Sequence, residues 1–162
     1  MYMLKSEVIG QIQSYHRQLA DLYLGLYEKV HDKRIGMLIH DLQQHELARD
    51  HYLEKHKKIA EANNCWLSVP AEKLSNQISA CFKDIHTGPG LTMSELINIE
   101  LHFDNCLIKL YNILSVEDEL SESMHNIFYY MLKKTKKEEA TLARMLVHSK
   151  DGVNYKFSIQ NN

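Results

Sequence analysis

Apolar residues recur at helical spacing over four long stretches of this chain. Val8, Ile12, Tyr15, Leu19, Leu22, Tyr23, Leu26 and Val30 mark a first helix over about 6–30, with Ser6 as its expected N-cap. The short His31-Asp32-Lys33 turn leads to a second helix over about 34–62, which should pack antiparallel to the first and end at Asn63-Asn64. Between Cys65 and Leu91 the pattern loosens. Val69-Pro70 and Gly88-Pro89-Gly90 break it, and Leu74, Ile78, Phe82 and Ile85 suggest one short amphipathic helix. Thr92-Met93-Ser94-Glu95 is a capping box for a third long helix carrying Leu96, Ile99, Phe103, Leu107, Leu110 and Leu114. A turn over 115–120 then precedes a fourth, over about 121–149, with Ile127, Phe128, Met131, Leu142, Met145 and Leu146 inward. Lys150-Asp151-Gly152 stops it. The expected architecture is all-α: one four-helix-bundle domain over 1–150 and an extended or frayed tail over 151–162. The roughly 27 residues between the second and third long helices can traverse a bundle, which favours two antiparallel hairpins joined by a long crossover.

One feature of the second helix departs from simple amphipathicity. At 100° per residue, Leu38, Ile39, Leu42 and Leu53 share an arc of about 100° with Glu46 and Arg49. A carboxylate and a guanidinium on a core face each need a partner, because a lone buried charge is prohibitively costly. The pattern therefore predicts a polar cluster inside a helical core.

Composition narrows the class. The 162 residues suffice for a domain with a real core, and 44% apolar residues with two prolines and six glycines favour a compact helical protein. A net charge of −2 gives no reason to expect nucleic acid as a partner. No apolar run reaches the roughly 18 residues of a membrane span and no signal-peptide core is visible, so a soluble cytoplasmic protein without membrane association is expected. Cys65, Cys81 and Cys106 are odd in number and lack CxxC spacing, so reduced thiols are expected, with Cys106 a small core side chain.

The helices carry a recognisable arrangement of polar residues. The first has His16 with Tyr23 seven positions on. The second has Glu46 with Arg49 three positions on. The third has Asp104 with Tyr111 at the same seven-residue spacing, or Glu100 one turn earlier. The fourth has Glu138-Glu139 followed by Thr141 and Leu142. On these residues the chain resembles the ferritin-like and rubrerythrin-like superfamily over about residues 6–149, with an eroded di-iron site. In that family the first and third helices each supply a core carboxylate and a tyrosine about two turns later, and the second and fourth each supply Glu-x-x-His. The resemblance implies a ferritin-like bundle of two hairpins.

The erosion has a chemical basis. Two iron ions need about four carboxylates and two imidazoles. Here Arg49 cannot lose its proton and would repel a cation, Thr141 or Leu142 replaces the other imidazole, and His16 replaces a carboxylate. The reading is a core ionic cluster of Arg49, Glu46 and Asp104 (or Glu100), with one of Glu138 or Glu139, in place of the metals. It implies no catalytic residue and no cofactor, with action through a protein partner or through self-association as a homodimer. The alternative is a metal-binding oxidoreductase or iron-handling protein, in which His16, Glu46 and Asp104 or Glu100 hold a single Fe, Mn or Zn ion.

Other polar features read blandly. On the second helix His40 and His51 fall opposite the core, and His45 and His56 at its boundary. Lys133, Lys134, Lys136 and Lys137 form a solvated face with Lys134–Glu138 pairing. Tyr15, Tyr23, Tyr27, Tyr111, Tyr129 and Tyr130 fit core and boundary packing. Trp66, Leu67 and Val69 are candidates for an apolar contact patch, although Trp66 more simply caps the end of the bundle. Phosphate loops, serine nucleophile elbows and zinc-type cysteine pairs are missing from the sequence.

Overall fold

In a computed structural model of the protein, residues 2–83, 85, 88, 90–115 and 122–151 are described. They form five helices and one two-stranded ribbon. The chain divides into two compact units, Met1–Ser75 and Asn76–Asn162.

The first unit is built on a helical hairpin. β1 (Tyr2–Leu4) leads directly into α1 (Lys5–Lys29), and α2 (Lys33–Ala62) returns antiparallel to it, as the short turn predicts. Asp32 caps α2 by accepting hydrogen bonds from the N–H groups of Arg34 and Ile35. The expected stripe is buried: Val8, Ile12, Tyr15, Leu19, Tyr23 and Leu26 on α1, and Leu38, Ile39, Leu42 and Leu53 on α2. Along the hairpin edge, Gln13 Nε2 donates to Asp50 at 3.0 Å and to Glu54 at 2.6 Å, and Arg17 Nε donates to Asp50 at 2.9 Å.

Two details differ from the sequence reading. The N-cap of α1 is Leu4, not Ser6, and the Glu7 carboxylate accepts from the Leu4 N–H at 2.8 Å. Ser6 is buried inside the first turn and uses its hydroxyl elsewhere: Asn64 Nδ2 donates to Ser6 Oγ at 2.7 Å, while the Ser6 N–H donates to Asn64 Oδ1 at 3.2 Å. This exchange ties the start of α1 to the end of α2. It continues into a ribbon that periodicity did not predict, in which β1 pairs antiparallel with β2 (Trp66–Ser68) in the register Tyr2↔Ser68, Met3↔Leu67 and Leu4↔Trp66. Three-residue strands are too short to leave a period-2 signature. Trp66 is 66% exposed and so caps nothing, whereas Leu67 and Val69 are buried, which dissolves the expected three-residue patch.

The short helix expected in the connection is α3 (Ala71–Cys81), with Leu74 and Ile78 buried; Phe82 and Ile85 lie beyond its end and are half-buried. It runs across the boundary between the units. In the second unit α4 (Met93–Ser115) opens on the predicted capping box: Glu95 N–H donates to Thr92 Oγ1 and Thr92 N–H to Glu95 Oε1, both at 3.1 Å. α5 (Glu122–Asp151) packs antiparallel to α4, with Tyr111 against Phe128 at a ring-centroid distance of 5.7 Å. Met124, Ile127, Phe128, Met131, Leu142 and Met145 form its buried face, and Leu146 is half-buried. Most of the expected turn over 115–120, and the tail from Gly152, lie outside the described residues; α5 reaches Asp151.

The Ser6–Asn64 exchange is testable. Asn64→Ala should lower stability by about 1–2 kcal/mol in denaturant unfolding, because two hydrogen bonds are lost and the Ser6 groups stay part-buried. Asn63→Ala, next to it and without a side-chain hydrogen bond to α1 among the described residues, should change stability by less than about 0.5 kcal/mol.

Candidate functional site

Each unit holds a buried group of ionisable side chains, and the two solve the same problem differently. In the first unit His16 on α1 faces Glu46 and Arg49 on α2, and all three are buried, as the apolar arc of α2 predicts. The spacing of three residues places Arg49 beside Glu46 on one helix face, with Arg49 Nη1 donating to Glu46 Oε1 at 2.7 Å. His16 Nδ1 lies 2.5 Å from Glu46 Oε2, and its ring is held edge-on against Tyr15. Both oxygens of Glu46 are thus engaged. Burial pushes its carboxyl up, but Arg49 and then His16 outweigh burial, and the group is held below the ordinary carboxylate range. Glu46 is therefore an anion in a sealed site.

His16 Nε2 and the Tyr23 hydroxyl, both fully buried, have no hydrogen-bond partner among the described residues. The seven-residue spacing of His16 and Tyr23 places both on the inner side of α1.

In the second unit acidic side chains stand beside one another. Glu100 and Asp104, one turn apart on α4, are 0% and 2% exposed, so both alternatives of the sequence reading face inward. Glu138 on α5 is half-buried and brings a carboxyl oxygen within 4.8 Å of one on Glu100. Glu139 is also half-buried. Burial, then Asp104, then Glu138 drive Glu100 well above the usual carboxylate range. As ionised groups these carboxyls are all acceptors, and neither Glu100 oxygen finds a donor. With a proton on Glu100, its O–H donates to a neighbouring carboxylate. Burial and the two acidic neighbours therefore favour the protonated form of Glu100.

Other candidates fall into place around these groups. Leu142 is buried as packing, and the Thr141 hydroxyl bonds back to the Lys137 carbonyl at 3.2 Å. His40 and His51 are exposed as expected. His45 is exposed too, rather than at the core boundary, while His56 is half-buried against Tyr52. Burial and then Lys55 hold the His56 imidazole below its usual range. The lysines at 133, 134, 136 and 137 are all exposed, and the Lys134 ammonium sits 5.3 Å above the Tyr130 ring, a cation–π contact that spacing did not indicate. Tyr15, Tyr23 and Tyr111 are core side chains, while Tyr27, Tyr129 and Tyr130 are exposed.

Sequence reasoning passed over one further group, the Cys81, His102 and Cys106 side chains. The His102–Cys106 spacing of four residues on an amphipathic helix was its only signal.

No family model, curated protein or solved structure matches this chain. The class is defined by the molecule itself, as a pair of antiparallel helical hairpins with ionisable side chains buried in each.

Two predictions follow from the opposite charge states of the buried carboxyls. Arg49→Leu should destabilise the protein by about 3–5 kcal/mol in chemical denaturation, since it leaves Glu46 without its cation. Glu46→Gln added to it should recover a large part of that loss. For Glu100 the sign is reversed. The folded protein keeps a proton that the unfolded chain releases above its ordinary value of 4.5, so stability is full below that pH and falls as pH rises towards the folded value. Glu100→Gln should therefore raise stability over wild type in denaturant unfolding by a margin that grows as pH rises above that ordinary value, by up to about 1.4 kcal/mol per pH unit. A margin independent of pH would show that Glu100 is ionised in the fold.

Proposed function

We propose that this chain is a ferritin-like helical module that has lost di-iron chemistry and acts through protein binding or self-association. The observation that carries this reading is the occupation of both Glu46 oxygens. A carboxylate that would bridge or chelate metal is instead committed to His16 on one side and to Arg49 on the other. The guanidinium is permanently charged and 8% exposed, so a cation brought to Glu46 would meet like charge in a medium that screens it poorly.

The binding role rests on exposed apolar surface. At the α1–α2 turn Tyr27 and Met37, 48% and 68% exposed, line an open cleft of about 610 Å³ with Val30 and His40. Exposed large apolar side chains beside a cleft are what a helical partner or a second copy of the chain would cover. No helix among the described residues is long and apolar enough to cross a membrane.

The test is elemental analysis of metal-depleted protein reconstituted with Fe²⁺, Mn²⁺ or Zn²⁺ and desalted, beside an Arg49→His variant. Wild type is expected to retain less than about 0.1 ion per chain while the variant gains metal. Retention of one or two ions by wild type would overturn the reading in favour of a metal-binding oxidoreductase or iron-handling protein.

A further inference from the structure

Cys81 closes α3, and Cys106 lies on the inner face of α4. Both thiols are free and buried, at 1% and 6% exposure. His102, one turn before Cys106, connects them. Its Nε2 lies 2.8 Å from the Cys81 carbonyl oxygen, close enough only if it carries the hydrogen and donates it. The Cys106 sulfur lies 3.7 Å from the same nitrogen. With its hydrogen directed to the carbonyl, Nε2 cannot accept from the Cys106 S–H, which turns to the Cys81 sulfur instead. From the other side Gln77 Nε2 donates to Cys81 Sγ at 3.8 Å. Phe82 packs on Phe103 with ring centroids 5.0 Å apart, holding the end of α3 on α4.

This arrangement treats the two sulfurs unequally. Cys81 receives two donors, the Cys106 S–H and the Gln77 amide, with Lys109 adding charge, and its thiol is held below the usual range despite burial. Cys106, beside the Cys81 sulfur and buried, is held well above that range and keeps its proton. A core pair serving only to fill space would not need the donors that Gln77 and His102 direct at the Cys81 sulfur and carbonyl. His102 is exposed, so solvent reaches the imidazole that Cys106 touches.

We propose that Cys81 and Cys106 form a dithiol–disulfide pair, an oxidative modification site of the second unit, with Cys81 as the attacking thiol and Cys106 as the resolving one. The oxidant class is a small peroxide. The Cys81 thiolate attacks one oxygen of hydrogen peroxide, the O–O bond breaks, and the sulfur becomes a sulfenic acid. The departing hydroxide takes up the Cys81 proton and leaves as water. The Cys106 sulfur then attacks the Cys81 sulfur, the S–O bond breaks, and the released hydroxide takes the Cys106 proton as a second water. Two thiols and one peroxide thus give one disulfide and two waters, with two electrons passing from the sulfurs to the peroxide oxygens. The bond would join residues 25 positions apart in the sequence.

The experiment uses the full chain carrying Cys65→Ser, which removes the exposed third thiol. After native treatment with hydrogen peroxide, the protein is alkylated under denaturing conditions, digested and mass-mapped. The expected product is a Cys81–Cys106 linked peptide, with Tm raised by roughly 5–10 °C and restored by dithiothreitol. In the Cys106→Ser version a dimedone-trappable sulfenic acid should accumulate at Cys81. Two alkylatable thiols after peroxide, or over-oxidation of either without a link, would overturn the proposal. A sulfenic acid trapped at Cys106 in Cys81→Ser, with none at Cys81 in Cys106→Ser, would overturn the assigned roles. Should either serine variant fail to fold by circular dichroism, the linked peptide in the Cys65→Ser protein still decides whether the pair forms.

Discussion

A carboxyl group sealed from water must be neutralised by a cation, by donors or by its own proton, because the cost of an uncompensated buried anion rivals the whole stability of a domain. The chain meets that constraint in both of its units. Around Glu46 the solution is a fixed charge: Arg49 from the same helix and His16 from the facing one leave the carboxylate ionised with both oxygens engaged. Around Glu100 the protonated form is favoured, since burial weighs on the charged form and Asp104 and Glu138 add like charge. The first arrangement holds its carboxyl below the ordinary range, and the second holds its carboxyl above it.

These polar contacts also restrict how the helices can pair. Apolar stripes alone tolerate a slide along the hairpin, because one leucine can replace another in a groove. A carboxylate inside the stripe does not, since a shift of one residue would carry Glu46 away from His16 and expose the cost of its charge. The same register is held at the open end of the hairpin by Ser6 and Asn64 and by the ribbon next to them. In the second unit the His102 bridge to the Cys81 carbonyl performs the corresponding task for the end of α3. Specificity of pairing, more than added stability, is what the buried polar groups supply to a fold whose apolar faces are already continuous.

Much of the helical organisation was legible in the residue pattern. The long helices are extended enough for a 3.6-residue period to show, and Asp32, Asn63 and the Thr92–Glu95 pair mark ends by local hydrogen bonding that needs no tertiary partner. Glu46 and Arg49 were readable as buried for the same reason, since their angular position follows from helical geometry. The cap of α1 was not, because Ser6 is recruited by Asn64, 58 residues away, and the backbone enters the helix from a strand. Nor were the two three-residue strands, which exist only through each other, or the exposure of Trp66, which depends on the face of the ribbon that it occupies.

The sequence by itself determined which residues are helical, where most helices begin and end, and that Glu46 and Arg49 face inward, because each of these is settled within a few turns of chain. Only the tertiary structure decided the state of those side chains. That Glu46 is an anion and Glu100 holds a proton depends on which groups approach from another helix. That Cys81 and Cys106 meet at one imidazole depends on packing, since His102 lies 21 positions from one and four from the other. Charge and reactivity are set by distances of a few ångströms between segments remote in sequence, and helical periodicity carries no record of those distances.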